Sequence, residues 1–282
     1  MSPVTIVTDS TAYIPQELAA KHKIQVAPQI LIWGNEMYED GVDITPEEFY
    51  RRLSTSKTLP SSSQVSMKTF DTIFREIRQE GNEVLAILIS EKLSGTIDSA
   101  MKVQQSLNDP AIEIVNSHTI AMSLGFVALE TAKAAEQGAT LAECKALAEH
   151  LRENTGLVFA VDTLEFLHRG GRIGGATRLL GSALNIKPIL ELIDGRVEPI
   201  ERVRTRSKSM TRLVEIITER IGGRQPVHLA ILHANAPADV NELYKIAKAQ
   251  IGGVEYLLAA VSPVVGTHTG PGTIGLAFLV SD

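Results

Sequence analysis

The chain is short of several features that would settle its class at once. It has one cysteine, Cys144, so no internal disulfide can form, and it lacks any Asn-x-Ser/Thr sequon. No charged-then-apolar leader precedes the first strand at Val4, which makes the cytoplasm the expected location. No apolar run approaches the ~18 residues of a membrane span, although transient membrane contact stays open. The P-loop pattern G-x-x-x-x-G-K-S/T is missing, which removes the commonest nucleotide-phosphate cradle. A formal net charge of −6 gives no basis for nucleic-acid binding. The seven histidines show no metal-ligand spacing: His228 and His233 are five apart on a strand and face opposite ways.

What is present is globular. Hydrophobic residues make up 44% and charged residues 21% of 282 residues, enough for two domains of ordinary size. Val4 to Ser10 reads as a buried strand that delivers Asp9 and Ser10 to its carboxyl end, as ligand contacts or as a helix cap. A second strand is expected over Ile24 to Ile32, and a turn at Asp40-Gly41. Thr45-Pro46-Glu47-Glu48 opens a helix, and Leu59 to Ser66 reads as a hydroxyl-dense loop before a helix over Met67 to Gln79. Strands at Glu83 to Ser90 and Ile112 to Ser117 flank a helix ending near Leu107, and two amphipathic helices follow over Ala121 to Gln137 and Leu141 to Glu153.

The pattern changes after Gly156. A strand over Leu157 to Asp162 and a short helix over Thr163 to His168 lead into the basic loop Arg169-Gly170-Gly171-Arg172-Ile173-Gly174-Gly175. A helix around Ala176 to Ala183, a hairpin over Lys187 to Ile193 and Arg196 to Val203, and strands at Val227 to His233, Glu255 to Ser262 and Leu276 to Val280 complete it, with helices from Ser207 and Pro237 between them. The fold class is therefore α/β with two lobes: a parallel-sheet α/β/α lobe over 1–155 and a largely antiparallel α+β lobe over 156–282. The ligand is expected in the cleft between them, with the 59–66 loop reaching across.

Three segments are dense in neutral donors: Ser61-Ser62-Ser63, Ser94-Gly95-Thr96, and Val264-Val265-Gly266-Thr267-His268-Thr269-Gly270-Pro271-Gly272, the last read either as one lip of an anion site or as a plain connection between strands. Gly270 to Gly275 matches G-x-G-x-x-G, but too few residues remain for the helix and the ribose-binding acid that a dinucleotide site needs. Ala121-Met122-Ser123-Leu124-Gly125 imitates a nucleophile elbow but sits beyond the strand-to-helix turn. Ser62, Ser94, Thr267 and His268 could together hold a carboxylate or phosphate, which describes binding better than catalysis. Two alternatives stay open: a stand-alone serine esterase using Ser94 with His268 and an acid such as Asp9, and a binder of another small anion.

With these segments assembled, the chain resembles the DegV family, whose characterised members are the fatty-acid-binding subunits (FakB) of bacterial fatty acid kinase. The resemblance is end to end and rests on Ile6 to Ser10, Ser62-Ser63-Gln64, Leu93 to Thr96, Leu164 to Ile173 and Gly266 to Gly272. It implies that Ser62 and Ser94 bind the carboxyl of a long-chain fatty acid and that His268 completes the hydrogen-bond network. The protein would need no cofactor and would present its ligand to a separate ATP-dependent kinase that makes the acyl-phosphate for phospholipid synthesis. Leu179, Leu180, Leu184, Ile186 and Ile189 are candidates for lining the acyl tunnel, or plain core. Arg169, Arg172, Arg202 and Arg204, with Arg206, are candidates for docking the kinase, or solvated surface. The chain departs from the family pattern at Ser62, usually Thr, at Val65, usually Pro, and at Asn116, usually Asp.

Overall fold

Short apolar runs punctuated by Gly, Pro and capping residues become 13 strands and 10 α-helices among the described residues. The computed structural model describes residues 3–181, 186–252 and 256–280. In chain order these are β1 (Val4–Asp9), α1 (Gln16–Lys21), β2 (Gln25–Ala27), β3 (Ile30–Trp33), β4 (Glu36–Glu39), α2 (Pro46–Leu53), β5 (Ser61–Ser63), α3 (Met67–Gln79) and β6 (Glu83–Leu88). Next come α4 (Thr96–Leu107), β7 (Ile112–Asn116), α5 (Ala121–Glu136), α6 (Leu141–Glu153), β8 (Thr155–Ala160), α7 (Glu165–Arg169), β9 (Lys187–Ile193) and β10 (Arg196–Val203). The last are α8 (Arg206–Ile221), β11 (Pro226–His233), α9 (Pro237–Ile251), β12 (Tyr256–Ala260), α10 (Pro263–Thr269) and β13 (Ile274–Val280).

The fold is mixed α/β, as expected. A four-stranded sheet of order β2-β1-β6-β7 is wholly parallel. A six-stranded sheet of order β10-β9-β8-β13-β11-β12 is antiparallel except for its β11–β12 pair. Helices α3 and α4 cover one face of the parallel sheet, α8 and α9 cover the far face of the other, and α5 lies between, packed on β1, β8 and β13. A parallel sheet needs cover on both faces, and this arrangement supplies it.

The structure departs from the expectations at five places, each for a local physical reason. Ile24 to Ile32 is not one strand: Pro28 has no N–H for a ladder, so the run breaks into β2 in the parallel sheet and β3 in a separate one. The expected loop at 59–66 contains β5, whose register Leu31↔Ser62 against β3 forms an antiparallel sheet of order β4-β3-β5. Helix α5 is not amphipathic, because every residue from Ala121 to Leu129 is buried between the two larger sheets. The helix expected around Ala176 is a 3-10 stretch over Gly174–Leu179, and Ala183 lies outside the described residues. The 264–272 segment is not simply a connection: Pro263 sits at the first helical position and α10 runs through His268.

Candidate functional site

The pairing of β5 with β3 holds Ser62 still, and α10 ends at the same place from the other side of the molecule. The Ser62 hydroxyl Oγ lies 2.6 Å from His268 Nε2, across 206 residues of chain. Gly170, in the turn after α7, lets the imidazole come this close: a Cβ there would stand 2.0 Å from His268 Nδ1. Nδ1 is buried without a hydrogen-bond partner. Burial, and then the nearby Arg172 guanidinium, push the imidazole down to about 4, so it is neutral at pH 7. In the tautomer with hydrogen on Nε2, the imidazole donates to Ser62 Oγ and leaves the Ser62 O–H free to donate to a ligand oxygen.

Ser94 enters from the turn between β6 and α4. Its Oγ lies 2.9 Å from Thr96 Oγ1 and accepts from the Thr96 amide at 3.3 Å, while Thr96 Oγ1 accepts from Val65 N–H at 3.3 Å. Thr267 is placed differently from the expectation. Its hydroxyl donates to Pro263 O at 2.9 Å within α10, and the threonine of this helix that lines the cavity is Thr269, whose hydroxyl likewise donates within the helix, to Val265 O at 3.2 Å. Arg172 turns inward: Nε donates to Leu93 O at 3.0 Å and an Nη to Gly170 O at 2.6 Å, and the side chain lines the cavity.

Ser62, Ser94, Arg172 and His268 stand on the wall of one cavity, whose empty space, mouth included, is about 1040 Å³. That is the upper end of the ~300–1,000 Å³ usual for small-molecule sites. Its walls are mostly apolar, from Leu157 and Phe159 on β8, Leu192 on β9, Val197 on β10 and Val261, Val264 and Val265 around α10. The cavity lining differs from the residues expected for the acyl tunnel. Leu179 is buried in the core, Leu180 is 39% exposed, and Ile189 faces the opposite core against α8. Ile186 lines no part of the cavity, and Leu184 lies outside the described residues. The reason is strand alternation: on β9 the even-numbered Leu190 and Leu192 point toward the cavity side, and Ile189 points away. The period of two on β8 was the signal that would have found Leu157 and Phe159.

Thr11, Tyr13 and Gln29 also line the cavity and had no sequence signal beyond their place after β1 and β2. Asp9 is a cap: buried, it accepts from Thr11 N–H, Thr11 O–H, Gln29 Nε2 and Ile89 N–H. The Ser94–His268–Asp9 triad does not assemble, since each of the three has other partners and no acid meets His268 Nδ1. Ser123 donates to Gly156 O at 2.7 Å and is structural.

The basic residues divide. Arg169 is exposed and paired with Glu165 at 2.6 Å, and Arg206 is paired with Asp239 at 2.9 Å. Arg202 and Arg204 are exposed and carry no ion pair among the described residues. Among the described residues no group of three or more His, Cys, Asp or Glu could hold a metal, and no helix is long and apolar enough to cross a membrane.

The family model described as "Uncharacterised protein, DegV family" matches residues 3–281. A DegV domain-containing protein of Streptomyces coelicolor is 38% identical over 275 residues, covering 97% of each chain. A DegV family protein of Thermus thermophilus, whose structure is described for its fatty acid binding, superimposes with a TM-score of 0.93 at 32% identity, covering 99% of this chain and 100% of that one. DegV of Bacillus subtilis, described as a fatty acid binding protein, gives a TM-score of 0.91 at 28% identity and full coverage of both chains. Matched from Pro3 to Ser281 in sequence and over nearly its whole length in structure, the chain belongs to the DegV family.

Proposed function

We propose that this protein binds a long-chain fatty acid and presents its carboxyl group to a separate ATP-dependent kinase. The observation that carries the reading is an apolar cavity whose polar wall is a hydroxyl–imidazole pair, Ser62 and His268, with Ser94 beside it. Fatty acid binding by the Thermus and Bacillus relatives supports it. The acyl chain supplies about 0.8 kcal/mol per buried CH₂. Neutral donors hold the head group at a smaller desolvation cost than a buried ion pair would.

Phosphoryl transfer then belongs to the partner. A carboxylate oxygen forms a bond to the γ-phosphorus of kinase-bound ATP as the bond to the ADP oxygen breaks, giving acyl-phosphate. Arg172, held at the cavity wall by two carbonyls, favours the negative charge on the transferring group. Exposed Arg169, Arg202 and Arg204 are assigned to docking an acidic face of the kinase.

Solvent extraction and mass spectrometry of protein purified from a bacterial host test the reading. The expected result is stoichiometric fatty acid. A protein that is empty and takes up no added fatty acid overturns it, and a co-purified phosphate or nucleotide in the cavity replaces it with the anion-binding alternative.

A further inference from the structure

The six-stranded sheet is not zipped along its full length. β8 and β9 pair at Ala160↔Ile189, Phe159↔Leu190 and Val158↔Glu191, and the ladder stops there. Beyond that point Leu157 and Leu192 would be the next partners, but each pairs only on its other side, with Ala277 and Val197, and both line the cavity wall. Outside the gap lies a second, polar hollow lined by Arg152, Glu153, Glu191 and Arg220. Leu192 lines both spaces. Ile120 and Leu157 line the cavity, while their chain neighbours Thr119 and Gly156 line the hollow. The partition is therefore one side chain thick, and Leu192 itself is only half-buried.

Along β8, this partition lies toward the opposite end from the residues that lead to His268. β8 has six residues, roughly 20 Å from end to end. Its last residues lead into α7 and Gly170 beside His268, whereas its first, Thr155, lines the polar hollow. β13 agrees: Thr273 just before it and Gly275 at its start line the cavity, next to α10, and Leu279 pairs with Thr155 near its end. A chain held by its carboxyl at Ser62 and His268 and laid along β8 meets Leu192 and Leu157 with its methyl end. Past them it would enter a space of charged side chains, where further methylenes gain nothing from burial.

We infer that Leu192, with Leu157 opposite it, is the wall that sets the longest acyl chain this protein accepts. The inference rests on the fatty-acid reading above and adds the residue that determines length specificity. In the parent protein, affinity should rise about fourfold for each added methylene, the equivalent of ~0.8 kcal/mol, and then level off at the wall.

The test measures displacement of a fluorescent fatty acid by a homologous series of saturated acids from medium to very long chain. It uses the full-length parent, Leu192→Ala and Leu192→Phe, with thermal melting to verify folding. Leu192→Ala should move the plateau to longer acids and Leu192→Phe to shorter ones. The same plateau in all three, with binding intact, overturns the inference while leaving the fatty-acid reading standing. A parent that binds no member of the series overturns that reading instead.

Discussion

Asp40 Oδ1 accepts the backbone N–H of Val264 at 3.1 Å, across 224 residues of sequence. The other carboxylate oxygen accepts from Ser10 Oγ at 2.7 Å. One buried side chain thereby ties the end of the β3–β4 hairpin to the first turn of α10, the helix that carries His268. Burial pushes the Asp40 carboxyl up to about 6. A raised carboxyl binds more protons folded than unfolded between its unfolded value near 4 and about 6, so it lowers stability as pH rises through that window. Asp40→Asn keeps an acceptor for Val264 and removes the charge. It should stabilise the protein at pH 7 by up to about 3 kcal/mol, with the gain disappearing toward pH 4. Urea unfolding at a series of pH values reads this directly, and equal stability of the two proteins at pH 7 would be the contrary result.

His268 works in the opposite sense over nearly the same range. Its imidazole is held down to about 4, so between about 4 and 6.5 the unfolded chain binds the extra proton and stability rises with pH. An NMR titration should find the His268 ring still neutral at pH 5.5. His268→Gln should remove this part of the pH dependence while leaving that of Asp40, and a ring titrating near 6.5 would contradict the burial described above.

Ser62→Ala leaves both nitrogens of a buried imidazole without a partner, whereas Ser94→Ala leaves Thr96 still accepting from Val65. The first should therefore cost about 1–3 kcal/mol of stability and the second less. Both should weaken fatty-acid binding. Calorimetric melting beside ligand displacement gives the two orders at once.

Gly170→Ala tests placement without touching a polar group. Its Cβ would meet His268 Nδ1 at 2.0 Å, so the ring must leave Ser62 or the turn must shift. Fatty-acid affinity should fall roughly tenfold or more, the scale of one hydrogen bond to the ligand. Unchanged affinity would show that His268 does not hold the head group.

Arg202→Glu with Arg204→Glu should leave fatty-acid affinity as it is and slow acyl-phosphate formation by the kinase, more strongly at low salt than at high. Loss of binding in this double variant would assign these residues to the cavity instead of the docking face.

Much of the architecture could be read from local pattern because it depends on local chemistry. Val4 to Asp9, Glu83 to Leu88 and the hairpin around Asp194-Gly195 announce themselves by apolar runs and turn residues. The segments bearing Ser62, Ser94 and His268 stood out as dense in hydroxyls and glycine. Their meeting depended on a β3–β5 pairing that three serines do not advertise. The lining failed for a different reason: in β9 both Ile189 and Leu192 are apolar, because both faces of the sheet are buried, and composition cannot say which face holds the cavity. Arg172 was misread as surface because its anchors are backbone carbonyls of Leu93 and Gly170, which any residue type could supply.

Helix α5, buried from Ala121 to Leu129 between the two larger sheets, makes the halves of the chain depend on each other. A fragment ending near residue 155 would leave an unbroken apolar surface in water, and the remaining fragment would lose the cover of β8 and β13. The fragments should aggregate when expressed singly, while the whole chain unfolds in one cooperative transition.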